Sequence, residues 1–428
     1  ADSDYTRCEY IVKNWASSSI NSEVHNNKLV LRDLLFFLHI PRTGGRTYFY
    51  CFLGKLYSTS QQCPRSYDKL RFNPREKNCR LISTHDDYSV MSKFPRDRVS
   101  VVTILRNPID RVFSTYEFSV EVAARFLIHP NLTSLAKGDK MLRLARKKSS
   151  TVSTLDIWPW KYLVPWMRED LFARRDARRL RGISDFSPYN SYEMKDIVMP
   201  LHDFISDPNV RDIVHNGATF QITGLTNNSY SAESHEVRRC VLRHPSLGKH
   251  VLEVAKKRLD EMLYVGLTEN HKESATMFAN VVGAQVISLH VESNHTTTDL
   301  DDSHDNDTSS GIRPEPYIHT YIHTYIRNYV SLFLSAEQNT GENEKPFPKN
   351  RNNTREKMTV PRLMEAYERC TVPLRKTHSQ RRAKSLKLIT PVNFTREERE
   401  LVSEATLLEI ASLNSLDMEL YTYAHRIF

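Results

Sequence analysis

Phe37-Leu38-His39-Ile40-Pro41-Arg42-Thr43-Gly44-Gly45-Arg46-Thr47-Tyr48-Phe49 begins inside the unbroken apolar run Leu34–Ile40 and passes through a glycine pair into a helical pattern. An apolar run of this length, interrupted only by His39, reads as a strand covered on both faces, the habit of a parallel sheet. The glycines allow backbone N–H groups to turn inward around an anion, and the following helix adds the positive end of its dipole. Arg42, Thr43, Arg46 and Thr47 are placed to donate to phosphate oxygens, with Tyr48 beside them. The spacing is not that of a Walker A loop, which requires G-x-x-x-x-G-K-[ST].

Working outward, Leu81-Ile82-Ser83-Thr84 and Val99-Ser100-Val101-Val102-Thr103-Ile104-Leu105 are two further short strands. The second runs directly into Arg106-Asn107-Pro108-Ile109-Asp110-Arg111-Val112-Phe113-Ser114. There Asn107 is a natural N-cap, Pro108 suits the first helical position, and Asp110 sits where a capping-box side chain points back. Arg106 at a strand's carboxyl end and Ser114 two turns into the helix could grip a second phosphate. Strand, helix, strand, strand, helix implies an α/β fold with a mostly parallel central sheet flanked by helices. His85, followed by Asp86 and Asp87 just after the second strand, is a candidate general base with a carboxylate to orient it. His39 is its rival, better read as a core or phosphate-adjacent histidine.

The chain has 428 residues with 60 Lys+Arg against 51 Asp+Glu, a net charge of +9, and 39% hydrophobic residues. These figures exclude a mini-protein and a multi-span membrane protein, and imply attraction to anions without choosing among them. No window reaches the ~18 consecutive apolar residues of a membrane helix, so any anchor is expected outside this chain. The six cysteines form no C-x-x-C pair, and no His, Cys and carboxylate spacing calls for a metal. Six sequons, at Asn131, Asn227, Asn294, Asn306, Asn352 and Asn393, together with an even cysteine count, point to a secretory or Golgi-lumenal glycoprotein.

The organisation divides into an extension at 1–30 with one amphipathic piece (Tyr10, Ile11, Trp15), a core at 31–291, a polar stretch at 292–358 and a C-terminal helical segment at 359–428 that docks on the core. Within the polar stretch Tyr-Ile-His-Thr recurs from Tyr317 to Arg327 with a period of four, too short for a stacking repeat and consistent with a translated simple-sequence tract. A basic run (Arg168, Arg174, Arg175, Arg178, Arg179, Arg181) could face acidic substrate residues or simply pair with Glu169, Asp170 and Asp176. Trp158, Trp160 and Trp166 could wall an aromatic slot or belong to the core.

Taken together, the two phosphate motifs resemble those of heparan sulfate 6-O-sulfotransferases, F-x-H-I-x-K-T-G-G-T-T-F and L-R-D-P-x-x-R-x-x-S. Val265-Gly266-Leu267-Thr268-Glu269 and Leu413-Asn414-Ser415-Leu416-Asp417-Met418-Glu419-Leu420-Tyr421 are similar to the same family's F-G-L-T-E and L-N-x-L-D-M-x-L-Y. The loop, together with Ser114–Glu121 and Asp156–Tyr162, is closer still to the plant-type tyrosylprotein sulfotransferases. Arg42 replaces the heparan-type lysine, keeping the charge in a planar fork.

The resemblance implies a P-loop-like sulfotransferase fold and transfer from 3′-phosphoadenosine 5′-phosphosulfate (PAPS), leaving PAP, with no metal. It implies donor contacts from Arg42, Thr43, Gly44, Gly45, Arg46, Thr47, Tyr48, Arg106 and Ser114, with His85 as base and Arg42 stabilising the leaving phosphate. Acidic tyrosine-containing peptides are the expected partners and nucleic acid is not, with Trp158, Trp160, Arg174 and Arg178 as candidate acceptor contacts. Glycan 6-O-sulfation and a non-catalytic binding role for acidic peptides or glycans are the alternatives. A nucleotide kinase lacks its Walker lysine and magnesium-binding acid.

Overall fold

In the computed structural model, the described residues are 2–21, 29–64, 70, 79–128, 192–193, 199–295, 358–386, 389–390, 399 and 401–428. Trp158, Trp160, Arg174, Arg178, Asn131, Asn306, Asn352, Asn393 and the Tyr-Ile-His-Thr tract lie outside them. The strands are β1 (Leu34–Leu38), β2 (Leu81–Thr84), β3 (Val99–Leu105), β4 (Tyr192–Glu193), β5 (Tyr264–Leu267) and β6 (Ile389–Thr390). The helices that frame the site are α1 (Asp2–Asn21), α2 (Gly45–Tyr48), α3 (Pro108–Ile128), α4 (Gly217–Thr223), α5 (Ala232–Arg243) and α6 (Gly248–Glu261). They continue with α7 (His271–Phe278), α8 (Val360–Leu386), α9 (Glu404–Leu413) and α10 (Ser415–Ile427).

A four-stranded, all-parallel sheet in the order β2-β1-β3-β5 forms the centre, with β4 and β6 paired separately. Phe36 registers against Ile82 and Val101, so the three apolar runs lie side by side. The fourth strand is Tyr264–Leu267, which the sequence pattern marked only as a short apolar stretch among helices. Period-two alternation splits β1 between two cores. Leu35 and Phe37 join Tyr48, Phe52, Phe278 and Leu363 on one face, whereas Phe36 and Leu38 join Ile222, Leu252, Leu259 and Leu420 on the other. Both faces are therefore covered, as the unbroken apolar run requires.

At the amino-terminal end, α1 packs on α5 and α6, and the Cys8–Cys240 disulfide fixes it there. Its buried stripe is Cys8, Val12, Trp15 and Ala16, whereas Tyr10, expected on the apolar face, is 69% exposed. Helical spacing explains the correction: 8, 12, 15 and 16 share a face that 10 does not. The other cysteines pair as Cys51–Cys370 and Cys63–Cys79, leaving none free. At the carboxyl-terminal end, the expected broad apolar face divides into two helices, with Ile410, Leu420 and Ala424 buried but Leu401 and Leu408 exposed. No described helix is long and apolar enough to cross a membrane.

The buried ion pair Arg111–Asp417 joins these parts, its nitrogen and oxygen 2.9 Å apart and both side chains 1% exposed. Asp417 also accepts from the backbone N–H groups of Ala218 (3.1 Å) and Thr219 (2.8 Å) and from the Thr219 hydroxyl, capping α4 from α10. Arg111 Nη1 donates to the Ile213 carbonyl at 2.7 Å. Asn216 Oδ1 accepts from Leu416 and Asp417 N–H, and Asn414 Oδ1 accepts from Asn216 N–H. Removing one member of such a pair leaves an uncompensated buried charge. Asp417→Ala is expected to lower unfolding stability by about 3–5 kcal/mol, read by denaturant titration, against a change near zero for Glu419→Ala on the same helix.

Candidate active site

β1 ends in a loop whose backbone is shaped by two positive φ angles, 68° at Arg42 and 81° at Gly44. The loop closes when Thr47 N–H donates to the Gly44 carbonyl at 2.9 Å, the turn that starts α2. Gly45 has no room for a side chain: a Cβ would lie 2.3 Å from the His39 ring. The second glycine is therefore required by the histidine six residues earlier, which packs on the loop. From the adjacent strand end, the Thr268 hydroxyl reaches both the Thr43 carbonyl (2.8 Å) and the Leu105 carbonyl (2.9 Å), stapling the loop to the end of β3.

The two phosphate segments meet directly. Arg42 Nε and Nη2 donate to Ser114 Oγ at 3.1 and 3.0 Å, and the guanidinium lies 4.5 Å over the Phe118 ring. Burial lowers the Arg42 pKa to about 10, opposed chiefly by Glu121 and reinforced by Arg106 and Arg46. Arg106 Nη1 donates to the Arg42 carbonyl at 3.2 Å, while its Nε is buried without a partner among the described residues. A buried orphan donor beside two further arginines and a glycine loop suits an anion. α3 is capped by Asn107, whose Oδ1 accepts from Ile109 and Asp110 N–H. The back-pointing acceptor expected of Asp110 comes instead from Glu269, which accepts from Asn107 N–H at 3.0 Å.

Two expected donor contacts face elsewhere. Thr43 is 1% exposed and its hydroxyl donates to the Ile40 carbonyl at 2.9 Å, which leaves only its backbone for an anion. Tyr48 points into the core, its hydroxyl 3.4 Å from that of Tyr264, and burial pushes its phenol well above the usual range.

Beside the loop, the His85 ring lies 4.3 Å from the His39 ring, which stacks on Phe37 at 5.3 Å. His85 Nδ1 lies 2.9 Å from the His39 carbonyl. A carbonyl can only accept, so Nδ1 carries the proton and the lone pair is on Nε2. The adjacent carboxylates do not supply this bond. Asp86 accepts from the Thr84 hydroxyl (2.9 Å) and Asn228 amide (2.8 Å), and Asp87 from Thr226 N–H (3.0 Å) and its hydroxyl (2.7 Å). Burial lowers the His85 pKa to about 4, partly offset by the bond to the His39 carbonyl and reinforced by Arg46. His39 is likewise held well below 6.5, first by burial and then by His85.

Sequence reasoning missed Gln221, fully buried on α4, whose amide donates to the carbonyls of His39 (3.2 Å), His85 (3.0 Å) and Asp86 (3.4 Å). It also missed Glu117, on the turn after Ser114, which is paired with Arg382 at 3.1 Å and with Arg399. His378 on α8 lies 3.4 Å from Arg46. No local motif marks these residues, because their partners are separated by 135 to 332 positions.

The chain is 54% identical to the protein-tyrosine sulfotransferase of Arabidopsis thaliana over 431 aligned positions, covering 100% of this chain and 81% of that protein. It belongs to the plant-type tyrosylprotein sulfotransferases. No family model and no solved structure matches it. The aligned region covers the whole of this sulfotransferase chain, including both phosphate segments, His85 and the Asn414–Asp417 clamp. Of the six sequons, Asn227 is exposed on the loop after α4, and Asn294 lies within the helix Ala284–His295.

Because His85 stays neutral in the fold down to about pH 4 but titrates near 6.5 when unfolded, the unfolded chain binds the extra proton between those values. Stability from this group is therefore complete above pH 6.5 and falls by about 3 kcal/mol as pH drops to 4, with His39 acting in the same direction. Denaturant titrations from pH 7.5 to 4.5 should show this slope, reduced in His85→Gln.

Proposed function

We propose that this sulfotransferase moves the sulfuryl group of PAPS to the phenolic oxygen of tyrosines in acidic segments of secreted peptides or proteins, in the Golgi lumen. The observation that carries the reading is the geometry at the end of β1. A neutral histidine with its lone pair on Nε2 stands beside a glycine loop whose Arg42 donates to Ser114 and accepts, through its carbonyl, from Arg106. The three disulfides fit an oxidising compartment.

PAPS supplies an activated sulfuryl group: the bond from sulfur to the 5′-phosphate oxygen breaks, a bond from sulfur to the phenolic oxygen forms, and PAP leaves. His85 Nε2 takes the phenolic proton, which a group of pKa ≈ 10 retains near neutral pH. Burial keeps the imidazole unprotonated and therefore able to accept. Its proton on Nδ1 stays with the His39 carbonyl, which holds the ring in position. Arg42 and the backbone of Gly44 and Gly45 stabilise charge on the leaving phosphate. Arg106, with its orphan Nε, and Ser114 bind the nucleotide's other phosphate. The loop supports the donor's anions without a metal.

Transfer of labelled sulfate to an Asp-Tyr peptide tests the reading. His85→Ala is expected to lose about 10²- to 10⁴-fold in kcat while retaining PAP affinity. The acid limb of kcat/KM should lie near pH 4, well below an ordinary histidine, since the free enzyme's base has that pKa. Retained transfer would remove His85 from the mechanism. Transfer to a heparan-type glycan in preference to the peptide would move the assignment to the alternative acceptor.

A further inference from the structure

α8 is one helix with one inward stripe, formed by Leu363, Tyr367, Cys370, Leu374, His378 and Arg382 at intervals of three and four. Its first half is core. Leu363 and Tyr367 are buried in the cluster with Phe52 and Phe278, Cys370 and Leu374 pack against that cluster, and Tyr367 stacks on Phe52 at 4.0 Å. The Cys51–Cys370 disulfide bonds this half to the segment that continues α2. Pro373 then marks a change of chemistry. From Thr371 to Leu386 there is no Asp or Glu, but there are Arg375, Lys376, His378, Arg381, Arg382 and Lys384. Along the same stripe, His378 arrives at Arg46 in the phosphate loop, and Arg382 arrives at Glu117, one turn beyond Ser114.

The arrangement has two features that packing alone does not require. Arg46 has no carboxylate partner among the described residues, and the group facing it is an imidazole, itself a cation when protonated. At the other position, Arg399 and Arg382 share Glu117, and Arg399 also lies 3.5 Å from Asp110, on the same helix as Ser114. The buried Nε of Arg106 at that end has no partner among the described residues. Cationic groups are thus brought to both phosphate segments by one helix. His378 and Arg382 are one turn apart, a rise of about 6 Å, so one helix face serves both positions.

We propose that the basic half of α8 is the outer wall of the donor site, with His378 and Arg382 as donor-binding residues that contact the nucleotide's anionic groups alongside Arg46 and Ser114. The proposal rests on the reading of the site as a PAPS site. Glu117 is the positioning residue: it aims Arg382 across the crevice from a buried carboxylate. The Cys51–Cys370 disulfide anchors the helix two turns before His378.

Isothermal titration of the full chain with adenosine 3′,5′-bisphosphate tests this directly. His378→Ala and Arg382→Ala are each expected to raise Kd about tenfold with the unfolding midpoint unchanged, while Lys249→Ala, exposed on α6, leaves it within twofold. Should Arg382→Ala fail to fold, Arg382→Lys keeps the charge but loses the fork and is expected to weaken binding several-fold. A Kd within twofold of the parent for both His378→Ala and the foldable Arg382 variant overturns the proposal while leaving the donor reading intact. A parent chain that does not bind the bisphosphate overturns both.

Discussion

The carboxylate of Asp417 is the constraint on which the site depends. It neutralises Arg111 on α3 and caps α4 through two backbone N–H groups, so one side chain of α10 sets two helices at once. α3 carries Ser114 and Glu117, and α4 carries Gln221, whose amide holds the carbonyls of His39 and His85. A buried pair is weak evidence of net stability, since desolvation offsets much of the attraction. Its value here is specificity: few other arrangements would satisfy both the guanidinium and the end of α4.

The candidate site combines that scaffold with an opposite electrostatic rule. Where the scaffold buries charges in pairs, the centre buries imidazoles that are kept neutral. Burial is the first cause of the lowered pKa at both His39 and His85, and nearby arginine reinforces it. Arg42 is half-buried beside them, but its intrinsic pKa is so high that lowering it to about 10 leaves it cationic. One environment therefore holds a neutral imidazole and a charged guanidinium side by side, through the difference between the two groups alone.

Much of the sheet was legible in the sequence, because strands covered on both faces are mostly apolar: Leu34–Leu38 is so throughout, and Val99–Leu105 apart from Ser100 and Thr103. The loop and the start of α3 were legible for a similar reason: glycine, asparagine and proline have few other uses at such positions. β5 was harder, being four residues long and set among helices. The directions of side chains were not legible at all. Asp86 and Asp87 adjoin His85 in sequence, yet turn towards Asn228 and Thr226, because side chains leaving a strand end diverge. Gln221, Glu117 and His378 belong to the site only through contacts that close loops of more than a hundred residues, and no local pattern encodes those.

The disulfides give the chain a direction in time. Cys63 and Cys79 are 16 residues apart and can pair as soon as both have emerged during synthesis. Cys8 must wait for Cys240, and Cys51, just after the phosphate loop, must wait 319 residues for Cys370. Asp417 arrives later still. A ribosome-bound chain can therefore hold every strand of the sheet and both phosphate segments while lacking the helix that covers them and the carboxylate that aligns them. The fold is therefore completed late, once the long-range disulfides have formed and residues 358–428 have arrived.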